Sequence, residues 1–177
     1  MFKLPIPDIS LKSIYELKPE RLVEAGVTLL LMDLDNTLAK YHAAAPSVAL
    51  RNWIDSLKKA GIEPFICSNS HGSRASMFAK ALSVEYVNKA RKPETKLLLE
   101  ILRRKGVNPE NAAIIGDQIY TDVLCGKRVG ILTIVIRPIE LTNPLYYLRY
   151  RAEFPFRYAY IRRKRLAEKK AQNFGKH

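Results

Sequence analysis

The segment Leu29-Leu30-Leu31-Met32-Asp33-Leu34-Asp35-Asn36-Thr37 decides how the rest of the chain is read. Its apolar run is strand-length and does not alternate with polar residues. That is the pattern of a strand buried on both faces, as in a parallel sheet. Two carboxylates follow at once, two residues apart. Carboxylates set against an apolar strand are unfavourable unless paired, hydrogen-bonded or metal-bound. Asn36 suits the turn that must follow.

Outward from this segment, short apolar runs alternate with amphipathic stretches. Val27 to Met32, Pro64 to Cys67, Val84 to Val87, Ala112 to Ile115 and Ile131 to Ile136 read as strands. Between them, Pro46 opens a helix over Ser47 to Ala60 that Gly61 ends. A second helix is predicted over Ser73 to Leu82. A third runs from Glu94 to Lys105, with Leu97, Leu98, Ile101 and Leu102 as its apolar stripe. A fourth covers Thr121 to Arg128. Strand and helix in this alternation predict an α/β fold: a doubly wound, Rossmann-like parallel sheet of about five strands with helices on both faces. Ligands of such sheets bind at the carboxyl ends of the strands. The polar residues there are Asp33 and Asp35, then Ser68-Asn69-Ser70, then Lys92-Pro93, then Gly116-Asp117 with Asp122.

The chain has 177 residues, 47% apolar and 27% charged, enough for one well-filled domain and unlike a disordered segment. No apolar run is long enough to cross a bilayer. The N-terminal Met1-Phe2-Lys3-Leu4-Pro5 lacks the features of a secretory signal, so a cytoplasmic location is expected. Cys67 and Cys125 lie in apolar segments and read as reduced core residues. His42 and His71 read as surface residues. The net charge of +13 is uneven: residues 145–177 hold ten Lys/Arg against Glu153 and Glu168, a net +8. A field of that sign favours phosphorylated substrates, nucleic acid or anionic lipid.

Asp33-x-Asp35-x-Thr37, Ser68-Asn69, Lys92-Pro93 and Gly116-Asp117-x-x-x-x-Asp122, in this order, resemble the four motifs of haloacid-dehalogenase (HAD) superfamily phosphatases. The resemblance implies that Asp33 is the nucleophile and Asp35 the general acid and base. It implies that Ser68, Asn69 and Lys92 bind the phosphoryl group, Lys92 also neutralising charge. Mg²⁺ would be held by Asp33, the Asp35 backbone carbonyl and Asp117, with Asp122 a further ligand or a partner behind them, a set of hard oxygens with no His/Cys competitor. Read without the family, Asp122 and Ser68 suit helix caps and Lys92 a solvated charge.

Thirty residues separate Thr37 from Ser68 and twenty-one separate Ser70 from Lys92, and predicted elements fill both gaps. Neither leaves room for a cap domain, so an open, capless site is expected. Leu4-Pro5, Ser13-Ile14-Tyr15, Asp33 to Leu38, Gly116 to Val123 and Arg137-Pro138-Ile139 are similar to the YqeG-type phosphatases of subclass IIIA. These are related to mitochondrial-type phosphatidylglycerophosphate phosphatases, which implies a phosphorylated, anionic phospholipid substrate. The expected organisation is a phosphatase domain over residues 1–140, including a lead-in at 1–25, and a basic, aromatic-rich extension over 141–177. Tyrosines and phenylalanines among the arginines of residues 145–177 suit peripheral contact with an anionic membrane. The same composition suits RNA, or tyrosines packed on the sheet with arginines in water. Pro155 argues against one continuous helix there. A soluble phosphosugar or nucleotide substrate, or an RNA- or phosphate-binding module, are the competing expectations. The second acid at Asp35 argues against a pure binder.

Overall fold

The computed structural model describes residues 4–141 and 143–174, with side chains described through Glu168. The last basic residues of the extension, from Lys169 onward, therefore lie outside the described side chains. Six strands form one parallel sheet: β1 (Ile9–Leu11), β2 (Leu29–Met32), β3 (Glu63–Cys67), β4 (Glu85–Val87), β5 (Ala112–Gly116) and β6 (Leu132–Ile136). Their spatial order is β1-β6-β5-β2-β3-β4.

The continuous apolar reading of β2 has its cause in this order. β2 lies between β3 and β5, and all four of its residues are buried. Leu30 and Met32 join the core on one face with Leu50, Trp53, Ile54 and Leu57 of helix α2 (Val48–Lys59) and Phe78 of α3 (Arg74–Leu82). Leu29 and Leu31 join the core on the other face with Leu98, Ile101 and Leu102 of α4 (Lys96–Lys105). A two-residue period on a sheet covered from both sides leaves no polar position on the strand. α2 starts where predicted, with Ser47 Oγ accepting from Leu50 N at 3.1 Å. A short helix α1 (Pro19–Glu24) precedes β2.

The sixth strand exceeds the expected five. β1 has only three half-buried residues at the sheet edge, too little apolar sequence to announce a strand. Asp8 docks it: Asp8 Oδ2 accepts from Thr133 N at 2.9 Å and Thr133 Oγ1 at 2.8 Å, and Lys127 pairs with Oδ1 at 2.5 Å. The predicted fourth helix begins earlier than Thr121. A single π-helical turn (Ile119–Val123) leads into α5 (Leu124–Val129), with Gln118 O accepting from Asp122 N and Val123 N.

The chain leaves β2 toward β3 and β4, then crosses to β5 on the other side of β2. The switch point therefore lies between the carboxyl ends of β2 and β5, where a doubly wound sheet opens its binding crevice. Asp33 and Asp117 are the residues that follow. Beyond β6 the extension forms α6 (Pro144–Ala152) and α7 (Phe154–Phe174), interrupted at Glu153. Pro155 sits in the first turn of α7, where a missing N–H leaves no bond unmade.

Candidate active site

The turn after β2 is built by backbone bonds. Asp33 N continues the ladder to Ile115 O at 2.9 Å, and Leu34 O accepts from Thr37, Leu38 and Ala39 N. Asn36 takes φ 60°, a left-handed conformation that Asn tolerates better than most side chains. The turn points Asp33 and Asp35 into one cleft of about 500 Å³, which Ser68, Asn69 and Ser70 line from the end of β3. A larger, more apolar hollow of about 760 Å³ lies behind the turn, between Ile14 and Pro138. No carboxylate lines it, so it is separate from the chemistry of the strand ends.

Lys92 is the centre of the site. Its ammonium is buried and donates to Asp33 Oδ1 at 2.7 Å, Asp122 Oδ1 at 2.6 Å and the Cys67 carbonyl at 2.7 Å. All three protons are used, and the two carboxylates hold its pKa well above the ordinary lysine value against the opposing effect of burial. Asn69 holds the backbone at this point: Nδ2 donates to Lys92 O at 3.0 Å and Oδ1 accepts from Lys92 N at 2.9 Å. Both polar ends of that amide face Lys92, while the second Nδ2 proton stays available at the cleft that Asn69 lines. Ser68 Oγ donates to Ser70 Oγ and accepts from Ser70 N, each at 3.1 Å, at the cleft wall.

Asp33, Asp117 and Asp122 each offer an oxygen within 4.8 Å of the others. With Lys92 alone to offset them, three ionised carboxylates leave an excess of two negative charges. Burial pushes the Asp33 carboxyl up to about 6, Lys92 pulling it down and Asp122 pushing it further up. Asp117 is also raised, by burial and by both neighbours. Its Oδ1 accepts from Thr37 Oγ1 at 3.4 Å, while its Oδ2 is buried with no hydrogen-bond partner. A buried oxygen without a donor is unfavourable by about 1–3 kcal/mol. These features fit a hard divalent cation, which would restore charge balance and occupy that oxygen. Asp122 is differently placed. Its Oδ1 is on Lys92 and its Oδ2 accepts from Gln118 N at 3.3 Å and Thr121 Oγ1 at 3.1 Å. A Cβ on Gly116 would overlap the Asp122 carboxylate and come within 2.6 Å of its Cβ, so only glycine fits there.

A family model described as HAD-hydrolase-like matches residues 89–138. The chain is 36% identical over 141 residues to the "probable phosphatase YqeG" of Bacillus subtilis, covering 80% of this chain and 82% of that one. The chain belongs to the YqeG-type phosphatases of the HAD superfamily. It is a phosphoric monoester hydrolase. It is also 26% identical over 171 residues to phosphatidylglycerophosphate phosphatase 1 of Arabidopsis thaliana. That alignment covers 92% of this chain and 46% of the relative, so the chain spans about half of that protein. Among solved structures, 3-deoxy-D-manno-octulosonate 8-phosphate phosphatase of Yersinia pestis aligns with a TM-score of 0.50 at 20% identity. It covers 74% of this chain and 72% of that one, a likeness of fold.

In this YqeG-type phosphatase several site residues lie outside the four motifs. Arg74 Nε donates to Asp35 Oδ1 at 2.7 Å, and the guanidinium also reaches the carbonyls of Ala43 and Lys40. It ties the first motif to α3. The sequence signal was an arginine at the first position of the helix after Ser68-Asn69-Ser70. The extension adds a second tie. Glu153, buried between α6 and α7, accepts from Ile119 N at 2.7 Å and Tyr120 N at 3.4 Å. Arg157 donates to the Asp117 carbonyl at 2.7 Å and to Glu153 Oε2 at 3.1 Å. The expected openness is thereby modified. Among the described residues no inserted domain covers the cleft, yet Tyr146 and Arg149 of α6 line it. His71, expected at the surface, is exposed at the cleft rim.

Proposed function

We propose that the chain hydrolyses phosphatidylglycerophosphate, or a closely similar phosphorylated anionic lipid, through a phospho-aspartate on Asp33. The observation that carries the chemistry is the buried Lys92 bridge to Asp33, beside the unpartnered Asp117 oxygen. Asp33 attacks phosphorus through a carboxylate oxygen while the bond to the lipid oxygen breaks. Asp35 gives its proton to the departing alkoxide, then takes one from the water that attacks the aspartyl phosphate. The phosphorus–oxygen bond to Asp33 then breaks, releasing inorganic phosphate and regenerating the carboxylate. Ser68 hydrogen-bonds the phosphoryl group, and Lys92 holds Asp33 in position and offsets charge. Asp33, the Asp35 carbonyl and Asp117 would hold Mg²⁺, with Asp122 fixing Lys92; bound Mg²⁺ supplies positive charge against the phosphoryl oxygens.

The lipid reading draws on the Arabidopsis relative's name and on the outer face of the extension. No helix among the described residues is long and apolar enough to cross a membrane. The 3–4 spacing of Phe154, Tyr158, Ile161, Arg162 and Arg165 instead lays exposed apolar and basic side chains along one side of α7. Leu145 and Leu148 are likewise exposed on α6. This supports peripheral contact of a phosphatase domain, spanning residues 1–140, through its extension. Each basic residue near an anionic surface contributes about 1 kcal/mol. Reversing Arg162 and Arg165 to Glu should weaken binding to vesicles containing phosphatidylglycerol by at least about tenfold, read by co-sedimentation. Wild-type protein should hydrolyse phosphatidylglycerophosphate in such vesicles, with Mg²⁺, faster than soluble phosphosugars or nucleotides. Preference for a soluble phosphate, with no vesicle binding, would overturn the lipid reading and leave the chemistry in place.

A further inference from the structure

We infer that α6 does the work of the missing cap, and that Arg149 on it forms a subsite for a second anionic group of the substrate, a phosphodiester. The inference rests on the phosphatase reading above and concerns what that site selects.

The cations around the cleft are not equivalent. Lys92 is committed to Asp33 and Asp122. Arg74 is committed to Asp35 and to two carbonyls. Arg149 lines the same cleft, and its guanidinium donates to the neutral Gln118 Oε1 at 3.0 Å, with no carboxylate partner within ion-pair distance among the described residues. An arginine in that state keeps donors and charge available for a planar or tetrahedral anion.

Its position is fixed from one turn away. Glu153 is 1% exposed at the end of α6 and accepts from two backbone amides of the Asp117 loop. Tyr120 Oη donates to Ala152 O at 3.0 Å, and Arg157, which donates to the Asp117 carbonyl, lies over the Tyr150 ring at 4.7 Å. Arg149 is thus held in register with the strand end that carries Asp117. Tyr146, one turn earlier, also lines the cleft. Asp33 and Asp35 line that same cleft. A phosphoryl group on Asp33 therefore leaves the remainder of the substrate against α6, where Arg149 meets the next anion along the molecule.

The test compares two soluble phosphate monoesters. Glycerophosphoglycerol phosphate carries a phosphodiester, and glycerol 3-phosphate does not. Wild-type protein should show the higher kcat/KM on the diester-bearing probe. Arg149→Gln should reduce that preference about tenfold, through KM rather than kcat, as expected for loss of one charge-assisted contact. Arg149→Lys should keep most of it. No preference in the wild type, or a preference unchanged in Arg149→Gln, would overturn the inference. Equal loss on both probes would also overturn it, because that is what a structural role produces. The lipid reading is judged separately on vesicles. Turnover of the lipid with an unchanged ratio sinks only the subsite, whereas an Arg149-dependent ratio without lipid turnover sinks only the lipid.

Discussion

Asp33→Asn should abolish turnover of every phosphate monoester, with a loss of at least about 10⁴-fold, the scale seen when one member of a cooperating catalytic set is removed. The loss should come without unfolding. The substitution is isosteric, and it removes one of the carboxylates whose ionised form burial disfavours. Lys92 keeps Asp122 and the Cys67 carbonyl as partners. Thermal denaturation of the metal-free variant should therefore match the wild type or lie above it. Steady-state assays on p-nitrophenyl phosphate with saturating Mg²⁺ give the rate. Retention of more than a few per cent of wild-type activity would remove Asp33 from the role of nucleophile.

Lys92→Met should affect both activity and stability. The buried ammonium is the sole cation between Asp33 and Asp122 among the described residues, and removing one partner of a buried ion pair costs about 3–5 kcal/mol. The sign of its pH dependence follows from the carboxylates left behind. Asp33 already sits at about 6, above the ordinary 3.8, and losing Lys92 raises it further. A carboxyl raised in the folded state binds a proton that the unfolded chain has released. Stability of the variant should therefore fall as pH rises from about 4 through the raised pKa. Mg²⁺ should recover part of the loss by replacing the missing positive charge. Urea denaturation across pH, with and without Mg²⁺, measures both effects. A variant as stable as wild type at neutral pH, without metal, would contradict the charge balance described for the site.

How far the sequence reaches is visible in particular residues. β2 was legible because both of its faces are buried, which leaves an unbroken apolar run ending in Asp33. The strand ends at Ser68, Lys92 and Asp117 were legible because their order and spacing resemble one family. Local signals at Ser47 and Gly61 placed the limits of α2. By contrast β1 was invisible, since three half-buried edge residues carry almost no pattern and Asp8 docks them through a contact 125 positions away. Glu153 looked like a stray acid in a basic tail. Its meaning lies in the amides of Ile119 and Tyr120, which only the folded chain brings to it. The hold of Asn69 on the Lys92 backbone was not legible either, since the two residues lie 23 positions apart. Arg149 and Tyr146 belong to the cleft only because α6 is anchored at Glu153. In each case local pattern fixes the element, and long-range polar contacts decide what its side chains meet.

The claim on which the rest depends is that phosphate passes through Asp33. Asp35→Asn mixed with p-nitrophenyl phosphate tests it most directly. That leaving group departs without a proton donor, so the first step survives, whereas attack by water lacks its base and slows. Mass spectrometry of the acid-quenched protein should find one phosphoryl group, on the peptide that contains Asp33. Steady turnover with no phosphorylated peptide, or a phosphoryl group on another residue, would contradict the account.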